Sequence, residues 1–520
     1  MKALCRTIAI LVSAVAVCLI PALCQEEHNH SVPEQLGEAF FPVSCLPSVQ
    51  GSFNQGVALL HSFAYSAAEK RFLDIAQADP KCAMAHWGVA MSYYHQLWEP
   101  PITAENLQRG QLEIQKADDL GGGASPRERE FIGALAQFYK DALRVPYATR
   151  ARAYQKAMGN VAVRNPSDRE SQIFYALALL ATAPSTDRNH TNQKLAAGIL
   201  EPLFKQYPQH PGVAHYLIHA YDNPEMAKRG LSAARAYAQI APSAPHALHM
   251  PSHIFTQLGL WQDSVSSNLA ARAAAHHQGD IGEELHSMDF LMYAYLQAGR
   301  NDEASQLLQE LQALPDLPVS QFKVGYAAAA MPVRYAIERR KWAEAAVISP
   351  KPGSPPEVLA ITYWCRALGL ARSGKPDDAS PEIRNLNRSV PQLRERNDAY
   401  WSAQVEILLG ESKAWIAHAN GQKDISVSLL RAAAEKEESL EKRPVTPGPI
   451  VPAREQLGDL LLELNQPGAA LREFEASLAH TPQRRGGLSG AARAAEMAGD
   501  SAKADEFKKQ LLALSSTGAN

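Results

Sequence analysis

The sequence predicts an all-α chain built from stacked helix–turn–helix repeats, and three observations carry that prediction. Alanine-rich amphipathic segments end repeatedly in Gly or Pro, with no alternating strand-like run between them. Small, aromatic and proline residues recur at a period of 34, the spacing of a two-helix unit. The 520 residues are too many for one compact core, which calls for a long array or several domains.

The period is clearest in residues 451–484. Counting Val451 as position 1, Leu457 and Gly458 fall at positions 7 and 8, Ala470 at 20, Phe474 at 24 and Pro482 at 32. This is the pattern of the tetratricopeptide repeat (TPR): small residues at 8 and 20 let the two helices approach, and the side chain at 24 fills the gap. Residues 49–82 repeat it with Gly56, Ala68, Phe72 and Pro80, and Pro166, Pro208 and Pro242 close further units. About ten degenerate units are expected to wind into a right-handed superhelix with a concave groove. Pro-rich breaks near 313–320, 349–356 and 442–452 divide the array. An N-terminal TPR lobe is expected over 49–312, central TPR-like helices over 321–441 and C-terminal units over 451–515, with an arm at 25–48.

Residues 1–24 read as a secretory signal peptide. Lys2 and Arg6 precede a short apolar run, and Ala22 and Cys24 suit a cleavage site before Gln25. The mature chain is therefore expected in the periplasm or medium, with no membrane span. Three cysteines then remain, Cys45, Cys82 and Cys365. Cys45 and Cys82 each precede the first helix of a neighbouring unit, which makes them the disulfide candidates. A formal charge of -3, from 51 basic and 54 acidic residues, leaves no electrostatic footprint for nucleic acid. No P-loop, dinucleotide fingerprint, HExxH or G-x-S-x-G motif is present.

The chemistry-bearing residues are histidines. His215 and His219 occupy positions 5 and 9 of one unit, and His249 and His253 occupy positions 5 and 9 of the next, 34 residues on. Imidazoles at i and i+4 share a helix face, and equivalent positions in adjacent units lie side by side. These four are expected to form one site on the groove floor that binds a transition metal ion such as zinc, copper or iron. His246, His286, Asp289 and Asp222 are placed at its rim, the carboxylates as extra ligands or as acceptors behind an imidazole. Without a metal, the same histidines would make a polar floor for a protein or peptide partner. Pro251 falls inside a helix and deprives the carbonyl of Ala247 of its donor, so a kink or late start is expected there. His61 and His95, both at position 13, form a second pair one period apart.

The stretches "HYLIHAYDNP", "HALHMPSHIF" and "PGPIVPAREQLGDLLLE" resemble those of large exported bacterial TPR proteins, over about residues 40–510. The resemblance implies a TPR superhelix and assigns His215, His219, His246, His249, Pro251 and His253 to the family's hallmark. The family pattern has HNxHF where this chain has HSMDF, so that His286 matches and Asp289 stands in place of a histidine. The resemblance brings no established activity. The leading expectation is an exported binding or scaffold protein with a histidine-lined groove. The alternative is a metal-dependent enzyme that uses the same cluster, with Asp222, Asp289 or Glu284 as base.

Overall fold

The structure is a computed structural model and describes residues 34–97 and 102–516. The signal-peptide reading of residues 1–24 lies outside the described residues. Among the described residues every regular element is a helix, and the fold is an all-α, TPR-type superhelix. Most helices pack chiefly on their sequence neighbours: Gln50–His61 on Tyr65–Ala78, that helix on Ala83–Tyr93, and likewise Ala453–Glu463, Pro467–His480 and Arg485–Ala498. The described residues from Gln35 onward form one packed unit.

The repeat signature packs as its spacing requires. The Phe72 ring is fully buried between the helices that precede and follow it. A Cβ added at Gly56 would lie 2.7 Å from this ring, and one at Gly88 2.3 Å. Phe474 does the same between Gly458 and Gly490, at 2.8 and 2.2 Å. Glycine at position 8 leaves room for the aromatic ring at position 24 of its own unit, and glycine at position 6 for that of the unit before. The arm enters as extended chain. Its Phe41 is buried among Phe53, Trp87 and Phe131, and Glu38 N–H donates to the carbonyl of Gln209 at 2.9 Å. Cys45 and Cys82 are joined by a disulfide, their Cα atoms 4.9 Å apart, which ties the arm to the start of the Ala83–Tyr93 helix. Cys365 is a buried free thiol.

The array closes on itself, which the repeat pattern alone does not show. The Arg485–Ala498 helix packs on the Ile281–Ala298 helix, and Arg484 is buried between Glu338 and Glu455, both at 2.7 Å. The Pro-rich stretch after Glu438 is a break in helix, as its composition requires, but it does not hang between two arrays. Lys442 reaches Asp222 at 2.8 Å, and Arg334 donates to the carbonyls of Gly448 and Pro449, both at 3.1 Å. The expected open groove is therefore covered beside the histidines, because this segment is the one that meets the first helices from inside.

Candidate metal centre

Three short elements carry most of the site. The Pro211–Tyr221 helix starts at His210, whose ring accepts from the Val213 N–H at 3.4 Å, with Pro211 in the first turn. It presents His215 and His219 on one face. The next unit begins with the Pro245–His249 helix and continues as Pro251–Gln257. Met250 between them keeps helical angles, so Pro251 interrupts the hydrogen-bond ladder without turning the chain, and His249 and His253 stay on one face. The Ile281–Ala298 helix, capped by Asp280, supplies His286.

These residues assemble as two triads, not as one four-histidine floor. His215, His219 and His246 form the first, and His249, His253 and His286 the second; in each, one nitrogen per ring lies within 4.8 Å of the other two. In the first triad His215 Nε2 stands 3.1 Å from His219 Nε2 and 3.2 Å from His246 Nε2. In the second, His249 Nε2 is 3.1 Å from His253 Nε2. Nitrogens bound at 2.0–2.1 Å to one tetrahedral ion stand about 3.3 Å apart, so these spacings already approximate a ligand set. His246 and His286, expected at the rim, are thus third members of the triads. Each comes from position 2 of the unit following its HxxxH pair.

The outer nitrogens of His215, His246, His249 and His253 are held by the protein, which aims the Nε2 atoms of these four rings inward. His215 Nδ1 donates to the carbonyl of His61 at 2.6 Å, a free acceptor at the end of the Gln50–His61 helix. His249 Nδ1 is 2.6 Å from Asn268 Oδ1, and Asn268 Nδ2 donates to the Ser264 carbonyl at 2.8 Å, which fixes the amide's orientation. His253 Nδ1 donates to Asp222 Oδ2 at 2.8 Å, and His246 Nδ1 faces Glu283 Oε2 at 3.3 Å. Each carboxylate has its own cation: Lys442 at 2.8 Å on Asp222, and Lys323 on Glu283. Burial raises the pKa of both acids, but the cations and imidazoles outweigh it and hold both carboxyls below their usual range. Burial lowers the pKa of His215, His219, His249, His253 and His286, which favours their neutral, metal-ligating form.

Each triad has one phenylalanine against all three of its rings. Phe63, in the left-handed region at φ 55°, lies 4.4, 5.8 and 5.3 Å from His215, His219 and His246, centroid to centroid. Phe290 lies 4.6, 4.9 and 5.3 Å from His249, His253 and His286. The spacing of the histidines could not reveal Phe63, because it lies in the turn after His61, in another unit.

Other expected residues have different partners. Asp222 stands behind His253, as an acceptor and not as an inward-facing ligand. Asp289 points away: Arg334 holds its Oδ1 at 3.0 Å, and burial raises its pKa against that pull. Asp289 thus neither extends the histidine row nor reaches the triads, because a buried guanidinium needs a counter-charge more than the site does. Glu284 is engaged by His276 at 3.1 Å and Arg272 at 3.7 Å. His61 does not pair with His95. It lies in a buried network with Glu170 and His210, both carboxylate contacts at 3.0 Å, while His95 stacks on Tyr65. That network braces the first triad through the His61 carbonyl. Gly212, at position 2 of this unit, leaves the space His61 occupies; an added Cβ would sit 2.6 Å from its Nδ1.

No protein-family model and no curated protein matches the chain. Among solved structures, the chain is similar to a human IFIT1 dimer with PPP-AAAA at a TM-score of 0.39 and 12% identity, over 84% of this chain and 91% of that one. It is also similar to the TPR domain of P58(IPK), at a TM-score of 0.22 and 13% identity, over 87% of this chain and 99% of that one. The fold assignment rests on the helix packing described above.

Proposed function

We propose that this TPR-type protein holds transition-metal ions in two adjacent sites, His215–His219–His246 and His249–His253–His286. The convergence of one ring nitrogen from each histidine in both triads, with the Nδ1 atoms of His215, His246, His249 and His253 tied to carbonyl, amide and carboxylate acceptors, carries the reading. A polar core alone gives no reason for Nε2 atoms to face each other at 3.2 Å (His215–His246) and 3.1 Å (His249–His253) when the Nδ1 atom of each of these rings already faces an acceptor. All-imidazole donors suit copper, zinc or iron and disfavour the hard oxygen-seeking ions. Export to the periplasm or medium belongs to the same proposal. The Cys45–Cys82 bridge supports it, since disulfides persist in oxidising compartments.

A second reading, a metal-dependent enzyme, is favoured by one feature: three protein ligands leave a coordination position open. None of the carboxylates first considered as base supports it, since Asp222, Asp289 and Glu284 all face other partners. A peptide or protein partner would take the concave face, where a cavity of about 210 Å³ is lined by Tyr293, Tyr326, Tyr400 and Trp401. No helix among the described residues is long and apolar enough to cross a membrane.

The test is elemental analysis of protein purified without a histidine tag, against a His215→Ala/His249→Ala double variant of unchanged helicity. The proposal expects two ions per chain in the first and none in the second. A folded native protein that takes up neither copper, zinc nor iron would leave only a polar core.

A further inference from the structure

The two triads are not independent sites. Rings of different triads are also neighbours: His219 and His253 are 6.1 Å apart and His246 and His249 6.2 Å, against 4.3–6.5 Å between rings that share a triad. Ions in the two triads would therefore be neighbours with their open positions between them, as in sites where two metals share a bridging ligand at about 3.5–4 Å.

Charge narrows the ions. An imidazole ligates a metal as a neutral donor, and the nearby carboxylates Asp222 and Glu283 are each already paired with a lysine. Two divalent ions would place four positive charges in a buried site with nothing left to balance them, whereas two copper(I) ions place two. Copper(I) also accepts three neutral nitrogens without further ligands. Access narrows the substrate. Five of the six rings are buried and His219 is half-buried, and either Phe63 or Phe290 lies against each of them. An apolar wall of this kind admits a small uncharged molecule and excludes bulky or charged ones.

We propose that the paired triads hold two copper(I) ions that bind dioxygen between them as bridging peroxide. This rests on the two-site reading above. Each copper(I) gives up one electron; dioxygen takes both, its O–O bond falls from double to single, and no proton moves. The products are two copper(II) ions and one peroxide dianion, so the buried site carries two net positive charges before and after. Asp222 and Glu283 stand behind the rings, at the Nδ1 atoms of His253 and His246, which suits a step that transfers no proton.

The experiment uses the full mature chain, stripped of metal, loaded anaerobically with copper(I) and then exposed to dioxygen. The expected result is two coppers per chain and uptake of one dioxygen per pair. A peroxide-to-copper charge-transfer band should appear in the near ultraviolet, with no copper(II) resonance because the two spins couple. The His249→Ala/His253→Ala variant should keep one copper and lose at least nine-tenths of the uptake and of the band. Its retained copper and helical circular dichroism show that it is folded. Two bound coppers without uptake, or with the resonance of isolated copper(II), would overturn the dioxygen inference and leave the two-site reading standing. Fewer than two ions per chain, with zinc as well as copper, would overturn both.

Discussion

Asp222→Asn separates the two sites. In the native chain Asp222 Oδ2 accepts from His253 Nδ1 and from Lys442, both at 2.8 Å, and Oδ1 accepts from Gln257 at 3.0 Å. The side chain is only 5% exposed. The amide keeps the shape and one acceptor, but removes the charge that makes His253 a stronger donor to metal. Losing such an outer partner costs about 10–100-fold in metal affinity, or about 1.4–2.7 kcal/mol. The first triad has its own supports, the His61 carbonyl and Glu283, and neither touches Asp222. Competition titration against a chromogenic chelator should therefore resolve two sites, the second triad weakened more than the first. Lys442 is left without its counter-charge, so stability should fall as well. Asp222→Asn/Lys442→Met should recover stability and not affinity. Equal weakening of both sites, or recovery of affinity in the double variant, would show that Asp222 acts on the fold and not on His253.

Burial lowers the pKa of His215, His219, His249, His253 and His286, so on acidification the unfolded chain takes up protons before the folded one does. Apo stability should be full above about pH 6.5 and decline below it, by up to about 1.4 kcal/mol per pH unit for each histidine; thermal melts from pH 7.5 to 5 check the sign, and a flat profile would contradict it. Phe72→Ala should cost about 3–5 kcal/mol in denaturant melts, because its ring fills the space left by Gly56 and Gly88. Reducing the Cys45–Cys82 bridge, which spans 37 residues, should lower stability by at most about 4 kcal/mol, and an unchanged melt under reductant would show that the bridge closes no entropy-costly loop.

The histidine pairs were legible in the sequence because the 34-residue offset carries His215 and His219 onto His249 and His253. The third member of each triad was harder. His246 follows His215 by 31 residues and His286 follows His249 by 37, since each comes from position 2 of the next unit and the second connection is six residues longer. Which residue of the next unit turns inward depends on the rotation between units, and a period in sequence does not encode that rotation. Asp289 occupies the right position in the count. Its partner Arg334 lies 45 residues further on, where no local pattern announces it. Proline content marked 442–452 as non-helical, but could not place Lys442 on Asp222. The repeat packing was the most readable level, because Gly56, Phe72, Gly458 and Phe474 act over one or two helices.

The contact between Lys442 and Asp222 joins residues 220 apart in sequence. A repeat array ordinarily folds from any point, each unit needing only its neighbours. Here the environment of His253 is complete only when a segment near the end of the chain has come back across the middle. During synthesis, which proceeds from the N-terminus, all six imidazoles emerge well before Lys442 does. The contact therefore sets an order of events: the helices stack first, the late segment swings in, and the finished binding constant is reached last.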